Sequence, residues 1–248
     1  MKSLTMIAAS TLALALAGCG DGGSDLNALA NETANAGPLT QIAAPNNGDW
    51  TQVVSQTPEG GYRMGNPNAP VQLVEYASLT CPHCRDFSAQ ATAALRDNYV
   101  RSGQVSWEFR NFLLGAPDVA LSVLARCQPD AAFFSTVEQI YVQQAEFLQA
   151  IDENEARAIS ALPPEQQIPP LARAMDLESF FARRGMPAAR FGQCVGNTTA
   201  IRQLTENTSR AMTERQVRGT PTFFINGEQT NADTWARLEP LLRGAIGG

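Results

Sequence analysis

The stretch Val71-Gln72-Leu73-Val74-Glu75-Tyr76, continued by Ser78-Leu79-Thr80 and Cys81-Pro82-His83-Cys84, decides how the rest of the chain is read. From Val71 to Tyr76 apolar and polar residues alternate among strand formers, the period of a β-strand. The turn-rich segment Met64-Gly65-Asn66-Pro67-Asn68-Ala69-Pro70 leads into it. Past Cys84, the residues Phe87, Ala91, Leu95 and Tyr99 recur at a spacing that lines one helix face, which puts Cys81 at a helix N-terminus. Val105-Ser106-Trp107-Glu108-Phe109-Arg110-Asn111-Phe112 reads as a second strand. A strand, helix, strand unit builds a parallel sheet, so the fold class is α/β.

Strand signals then vanish until about residue 217. Phe133, Val137, Ile140, Tyr141 and Leu148 mark one amphipathic helix, and Ile201, Leu204, Ala211 and Met212 another. Asp130, after Pro129, reads as a helix N-cap, and Pro163-Pro164 and Pro169-Pro170 bracket a loop. Thr222-Phe223-Phe224-Ile225, the turn Asn226-Gly227 and Glu228-Gln229-Thr230 give a hairpin signal. A last helix surrounds Trp235, Leu238, Leu241 and Leu242. Two α/β segments, 61–114 and 218–248, thus flank a helical insertion, 115–217, and no internal repeat is present.

The N-terminus carries Lys2, an apolar run from Leu4 to Leu16, and Leu16-Ala17-Gly18-Cys19. Charge, length and small-residue exit make 1–18 a secretory leader too short to span a bilayer, and the last four residues resemble the bacterial lipoprotein signal, which leaves a lipidated Cys19. Residues 19–60, rich in Gly, Asn, Ala, Ser and Thr, read as a flexible linker between lipid and domain. Of the five cysteines, Cys81, Cys84, Cys127 and Cys194 remain, an even number in an oxidising compartment. The natural partition is one adjacent pair for chemistry and one distant pair for structure. A formal charge of −6 argues against a nucleic-acid partner.

A disulfide exchanges when a thiolate attacks one of its sulfurs, so the chemistry needs an accessible sulfur of low pKa and a second sulfur nearby. A two-residue gap at a helix start supplies both. Free amides and the positive end of the helix dipole stabilise an anion at Cys81, Pro82 in the first turn loses no hydrogen bond, and Cys84 lies one turn in. His83, the only histidine of the chain, can donate toward the thiolate or carry charge beside it. Neither a cofactor nor a metal is required.

These residues resemble the DsbA family of thioredoxin-fold proteins. Cys81-Pro82-His83-Cys84 has the dipeptide typical of its oxidases, and Arg218-Gly219-Thr220-Pro221-Thr222-Phe223 is similar to its cis-proline loop before a strand. The resemblance covers about residues 64–248 and implies a thioredoxin fold with an inserted α-helical domain. It implies a cis Thr220-Pro221 bond packed against Cys81, with the Thr220 backbone binding substrate as an added strand. Glu75 then matches the family's buried acid that moves protons at the inner cysteine. Its usual lysine partner has no counterpart after Lys2, leaving Arg110 as a candidate. Some members carry a second disulfide in the insertion, which implies that Cys127 pairs with Cys194.

By the same resemblance the protein is a periplasmic thiol:disulfide oxidoreductase, monomeric and held to a bacterial membrane by its lipid. It introduces disulfides into reduced exported polypeptides and is reoxidised by a DsbB-like membrane partner. Rival readings are an isomerase or reductase of the same fold, a metal-binding protein using the CxxC pair as half a site, and a holdase without redox turnover.

Overall fold

The computed structural model describes residues 38–247. The leader and Cys19 lie outside the described residues. Six strands form one mixed sheet in the order β1-β2-β4-β3-β5-β6: β1 (Val54–Gln56), β2 (Tyr62–Met64), β3 (Val71–Ala77), β4 (Val105–Asn111), β5 (Thr222–Ile225) and β6 (Glu228–Gln229). Strand β3 is central, parallel to β4 and antiparallel to β5. Helix α1 (Pro82–Ala94), extended by a π-helical turn over Leu95–Val100, makes the crossover from β3 to β4. Phe87, Ala91, Leu95 and Tyr99, the face expected from their spacing, are all buried in it.

Eight helices stand between β4 and β5: α2 (Ala116–Arg126), α3 (Phe133–Val142), α4 (Gln144–Gln149), α5 (Glu153–Ser160), α6 (Pro164–Ala174), α7 (Leu177–Ala182), α8 (Ala188–Val195) and α9 (Thr198–Glu214). Helix α10 (Trp235–Gly247) ends the chain. The result is an α/β thioredoxin-like sheet with a helical insertion. Pro38–Gly248 pack as one unit, so these helices share a core with the sheet rather than forming a separate body.

Period-two alternation gives the sheet two different faces. Leu73, Glu75 and Ala77 of β3 share one face with Trp107 and Phe109 of β4 and Phe223 of β5. Helices α1 and α3 cover it through aromatic contacts: Phe87 meets Phe223 at 4.5 Å, Trp107 meets Phe134 at 4.7 Å, and Phe109 meets Phe133 at 5.7 Å between ring centroids. The other face, with Val74, Tyr76 and Phe224, packs on Ala211 of α9. The β5–β6 turn has positive φ at both Asn226 and Gly227, the geometry that Asn-Gly favours in a two-residue hairpin.

Three local expectations change. The linker does not reach residue 60. Trp50 is buried, its indole donates to the Ile42 carbonyl at 2.8 Å, and Val54–Gln56 pairs with β2. Gly103, at φ +77°, makes this possible, because a Cβ there would lie 2.7 Å from the Trp50 indole nitrogen. Asp130 opens a short 3-10 turn ahead of α3 instead of capping it, and accepts from Gln56 at 3.2 Å. The bracketed loop is helix α6, which contains Pro169 and Pro170. Pro164 occupies its first turn, where no hydrogen bond is lost, and Ile168, Leu171, Ala172 and Met175 bury a helix-spaced stripe that outweighs the two missing donors.

Cys127, at the end of α2, is disulfide-bonded to Cys194 of α8, with the Cα atoms 6.1 Å apart and the two positions 67 apart in sequence. Closing a loop of that length removes unfolded-state entropy worth roughly 4 kcal/mol. A Cys127→Ala/Cys194→Ala variant is expected to lose about that much stability in urea unfolding monitored by circular dichroism. A loss below about 1 kcal/mol would mean that helical packing alone holds α2 to α8.

Candidate active site

Strand β3 ends at Ala77, and the loop Ser78-Leu79-Thr80 delivers Cys81 as the N-cap of α1, with Pro82 in the first turn. Three helices of the insertion hold this loop. Asp118 of α2 accepts from the Leu79 amide at 3.0 Å and the Thr80 hydroxyl at 3.4 Å, and from the Leu114 amide at 3.1 Å. The Tyr141 hydroxyl of α3 donates to the Ser78 carbonyl at 3.1 Å. The Gln144 amide of α4 donates to the carbonyls of Leu79 at 2.9 Å and Cys81 at 3.0 Å. All three side chains are buried, so the backbone groups they bind are satisfied from within the protein.

The two sulfurs are both thiols and sit in different surroundings. Cys84 has no exposed surface, whereas Cys81 is 5 % exposed and lies 3.3 Å from the carbonyl oxygen of Thr220, to which its thiol donates. The Thr220-Pro221 peptide is cis and leads into β5. The Thr220 hydroxyl is buried with no hydrogen-bond partner among the described residues, which leaves it free to donate to a thiolate at Cys81.

The Cys81 pKa is lowered from 9.0 to about 5, first by a hydrogen bond from the Cys84 thiol, then by the Thr220 hydroxyl and the amides of Cys84 and His83, against the opposing effect of burial. Burial and the neighbouring Cys81 push Cys84 well above the usual thiol range. A negative sulfur is therefore favoured at the surface and a protonated one beneath it.

Glu75 interrupts the apolar face of β3 and is 2 % exposed. Burial pushes its carboxyl up to about 8, with the Trp107 indole, donating at 2.9 Å, pulling the other way. Arg110, the candidate partner, is one residue out of phase and so projects from the opposite face. There it binds Glu108 at 2.7 Å and the Tyr76 hydroxyl at 3.0 Å. The His83 side chain is exposed and makes no hydrogen bond among the described residues, so its backbone amide is what reaches the sulfur.

Sequence reasoning missed Trp107, Asp118, Tyr141 and Gln144. Asp118 left a readable signal, since it shares a helix stripe with Leu121, Ser122 and Ala125, all buried. Trp107, Tyr141 and Gln144 left none, because an indole, a phenol or an amide on a buried face looks like ordinary packing. Among the described residues no group of three or more His, Cys, Asp or Glu side chains is arranged to hold a metal ion. With a stabilised thiolate, a second sulfur in reach and a proton-bearing acid below, the constellation can make and break disulfides.

The rate of Cys81 alkylation in the reduced protein is expected to titrate near pH 5. Cys84→Ala, which removes the leading donor, is expected to move the midpoint up. An unshifted midpoint would assign the stabilisation to the backbone amides. Glu75 keeps its proton in the folded state between its ordinary 4.5 and about 8, so its contribution to stability is complete below 4.5 and is lost as pH rises through 8. Glu75→Gln is expected to remove that slope, on the order of 5 kcal/mol across the window, from denaturant midpoints measured against pH. An unchanged slope would show that another group carries it.

The "Putative protein-disulfide oxidoreductase" of Rickettsia prowazekii is 26 % identical over 180 residues, covering 73 % of this chain and 59 % of its own length. The chain thus spans about three fifths of that relative. The crystal structure of a protein-disulfide isomerase from Novosphingobium aromaticivorans superposes with a TM-score of 0.72 at 27 % identity, covering 75 % of this chain and 97 % of that one. The Wolbachia pipientis alpha-DsbA1 structure shares the fold, with a TM-score of 0.60 at 18 % identity over 77 % of this chain and 94 % of that one. The family model described as Thioredoxin matches residues 57–243, well over half of the sequence, and the chain therefore belongs to the thioredoxin family.

Proposed function

We propose that this chain is a DsbA-type protein-disulfide oxidoreductase that oxidises reduced exported polypeptides at the periplasmic face of a bacterial membrane. The observation that carries the reading is the inequality of the two sulfurs, with Cys81 lowered to about 5 and Cys84 pushed well above the thiol range. Stabilising the reduced pair in this way makes the corresponding disulfide a stronger oxidant. The names of the Rickettsia relative and the Novosphingobium structure support disulfide chemistry.

In the cycle a substrate thiolate attacks Cys81 of the oxidised pair, the S–S bond breaks, and Cys84 leaves and takes the proton held by Glu75. The second substrate thiolate attacks the mixed disulfide and releases Cys81 as thiolate. The substrate has then lost two electrons and gained a disulfide, and a DsbB-like membrane partner reoxidises the protein. The Thr220 backbone, with Pro221 beside it, receives the substrate as an extended strand. Pro82 starts α1 and presents Cys81, and His83 acts through its amide. Segments 61–114 and 218–248 bear the dithiol, and 115–217 is the inserted helical part, stapled by Cys127–Cys194. The leader 1–18 directs export, a lipidated Cys19 tethers the protein, and no helix among the described residues is long and apolar enough to cross a membrane.

A second reading, disulfide isomerase, is favoured by the name of the Novosphingobium structure. Equilibration with glutathione, oxidation of a reduced peptide and refolding of a scrambled substrate separate the two. The expected results are a potential more oxidising than about −180 mV, rapid peptide oxidation and no unscrambling. A potential near the roughly −270 mV of thioredoxin would overturn the oxidase direction, and efficient unscrambling would establish the isomerase.

A further inference from the structure

One side chain of the insertion reaches the backbone of the reactive cysteine itself. Gln144, the first residue of α4, is 2 % exposed, and its carboxamide donates one hydrogen to the Leu79 carbonyl at 2.9 Å and the other to the Cys81 carbonyl at 3.0 Å. One turn on, the buried Phe147 meets Phe180 of α7 edge-on at 5.1 Å between ring centroids, which fixes α4 within the insertion. Among the described residues no other side chain is hydrogen-bonded to the Cys81 backbone.

The need to satisfy a buried carbonyl does not account for the second of these bonds. The Cys81 carbonyl already accepts the Arg85 amide at 3.2 Å, the first bond of α1, and one partner is enough for a buried acceptor. The extra donor does two other things. Cys81 is the N-cap of α1 at φ −77° and ψ 122°, and its ψ sets where the unpaired His83 and Cys84 amides point relative to its own Sγ. A carbonyl clamped by Gln144, which also grips Leu79, cannot swing about that bond. The donor further offsets the negative end of the Cys81 carbonyl, which would otherwise oppose an anion on the same residue.

We propose that Gln144 is a positioning residue for Cys81: by pinning the Leu79 and Cys81 carbonyls it keeps the His83 and Cys84 amides turned toward the sulfur and so sets how readily Cys81 leaves as a thiolate. The inference rests on the oxidoreductase reading above. Departure comes when the second substrate thiolate attacks the mixed disulfide. The bond between Cys81 and the first substrate sulfur then breaks, and its electron pair stays on Cys81. Gln144 is hydrogen-bonded to neither cysteine sulfur and acts only through the backbone around them.

The test replaces Gln144 with Met in the full chain, which keeps the side-chain length and removes both donors. Cys81 alkylation in the reduced wild type titrates near pH 5, and in Gln144→Met its midpoint is expected to rise by about one pH unit. In equilibrium with glutathione at pH 7 the variant's disulfide should be about tenfold less oxidising, or about 30 mV for a two-electron couple. Gln144→Leu should shift both readings the same way and serves if the methionine variant does not fold. Ile168→Ala, a core deletion in α6, should lower stability in urea and leave the midpoint where it is.

A midpoint within about 0.2 pH units of wild type in a folded Gln144 variant overturns the proposal. An equal rise in Ile168→Ala assigns the effect to loosened packing and also overturns it, as does failure of both Gln144 variants to fold. A wild type that oxidises no reduced peptide, while the Gln144 variants still move the midpoint, overturns the oxidoreductase reading and leaves the positioning of Cys81 standing.

Discussion

Strand β3 is bonded along both edges, in parallel to β4 over its seven residues and antiparallel to the four residues of β5. This double pairing brings Cys81 within 3.3 Å of the Thr220 carbonyl, 139 residues away in sequence. Every feature of the site hangs from it: the loop that launches α1, the acid on the inward face, and the cis peptide at the start of β5. Nothing local could produce the juxtaposition, because the loop entropy of so long a connection is overcome only by the pairing and burial of the whole sheet.

The helical insertion does more than enlarge the core. Asp118, Tyr141 and Gln144 come from three consecutive helices, and each satisfies polar backbone between Ser78 and Cys81. A buried loop without these partners would leave amides and carbonyls unpaired at a cost of about 1–3 kcal/mol each. The insertion therefore determines how rigidly the reactive sulfur is presented, and its helix α3 also covers the face of the sheet that carries Glu75.

Two carboxyl groups, Glu75 and Asp118, lie almost wholly buried with no cation paired to either among the described residues, and burial raises both, to about 8 and about 6. Burying an ionised carboxylate is far more costly than burying a protonated one, so the fold stores protons under the dithiol. Asp118 is moderated by the hydrogen bonds its carboxylate accepts, whereas Glu75 is opposed only by the Trp107 indole. That difference leaves Glu75 as the group whose proton is exchangeable near neutral pH.

Much of this was legible in the chain itself. The strand at 71–76, the helix opening on Cys81, the Asn226-Gly227 turn and the helical character of 115–217 all follow from side-chain periodicity and turn chemistry, which act over a few residues. Glu75 was singled out by the family resemblance, not by the alternation of its strand. What the sequence could not specify was every relation that depends on register and face: Trp107 rather than Arg110 beside Glu75, the hydroxyl of Thr220 beside Cys81, the helix that runs through Pro169 and Pro170, and the docking of Trp50 over Gly103. Those were decided by tertiary structure, because a one-residue step along a strand exchanges its faces, and only packing against distant elements selects which face is buried.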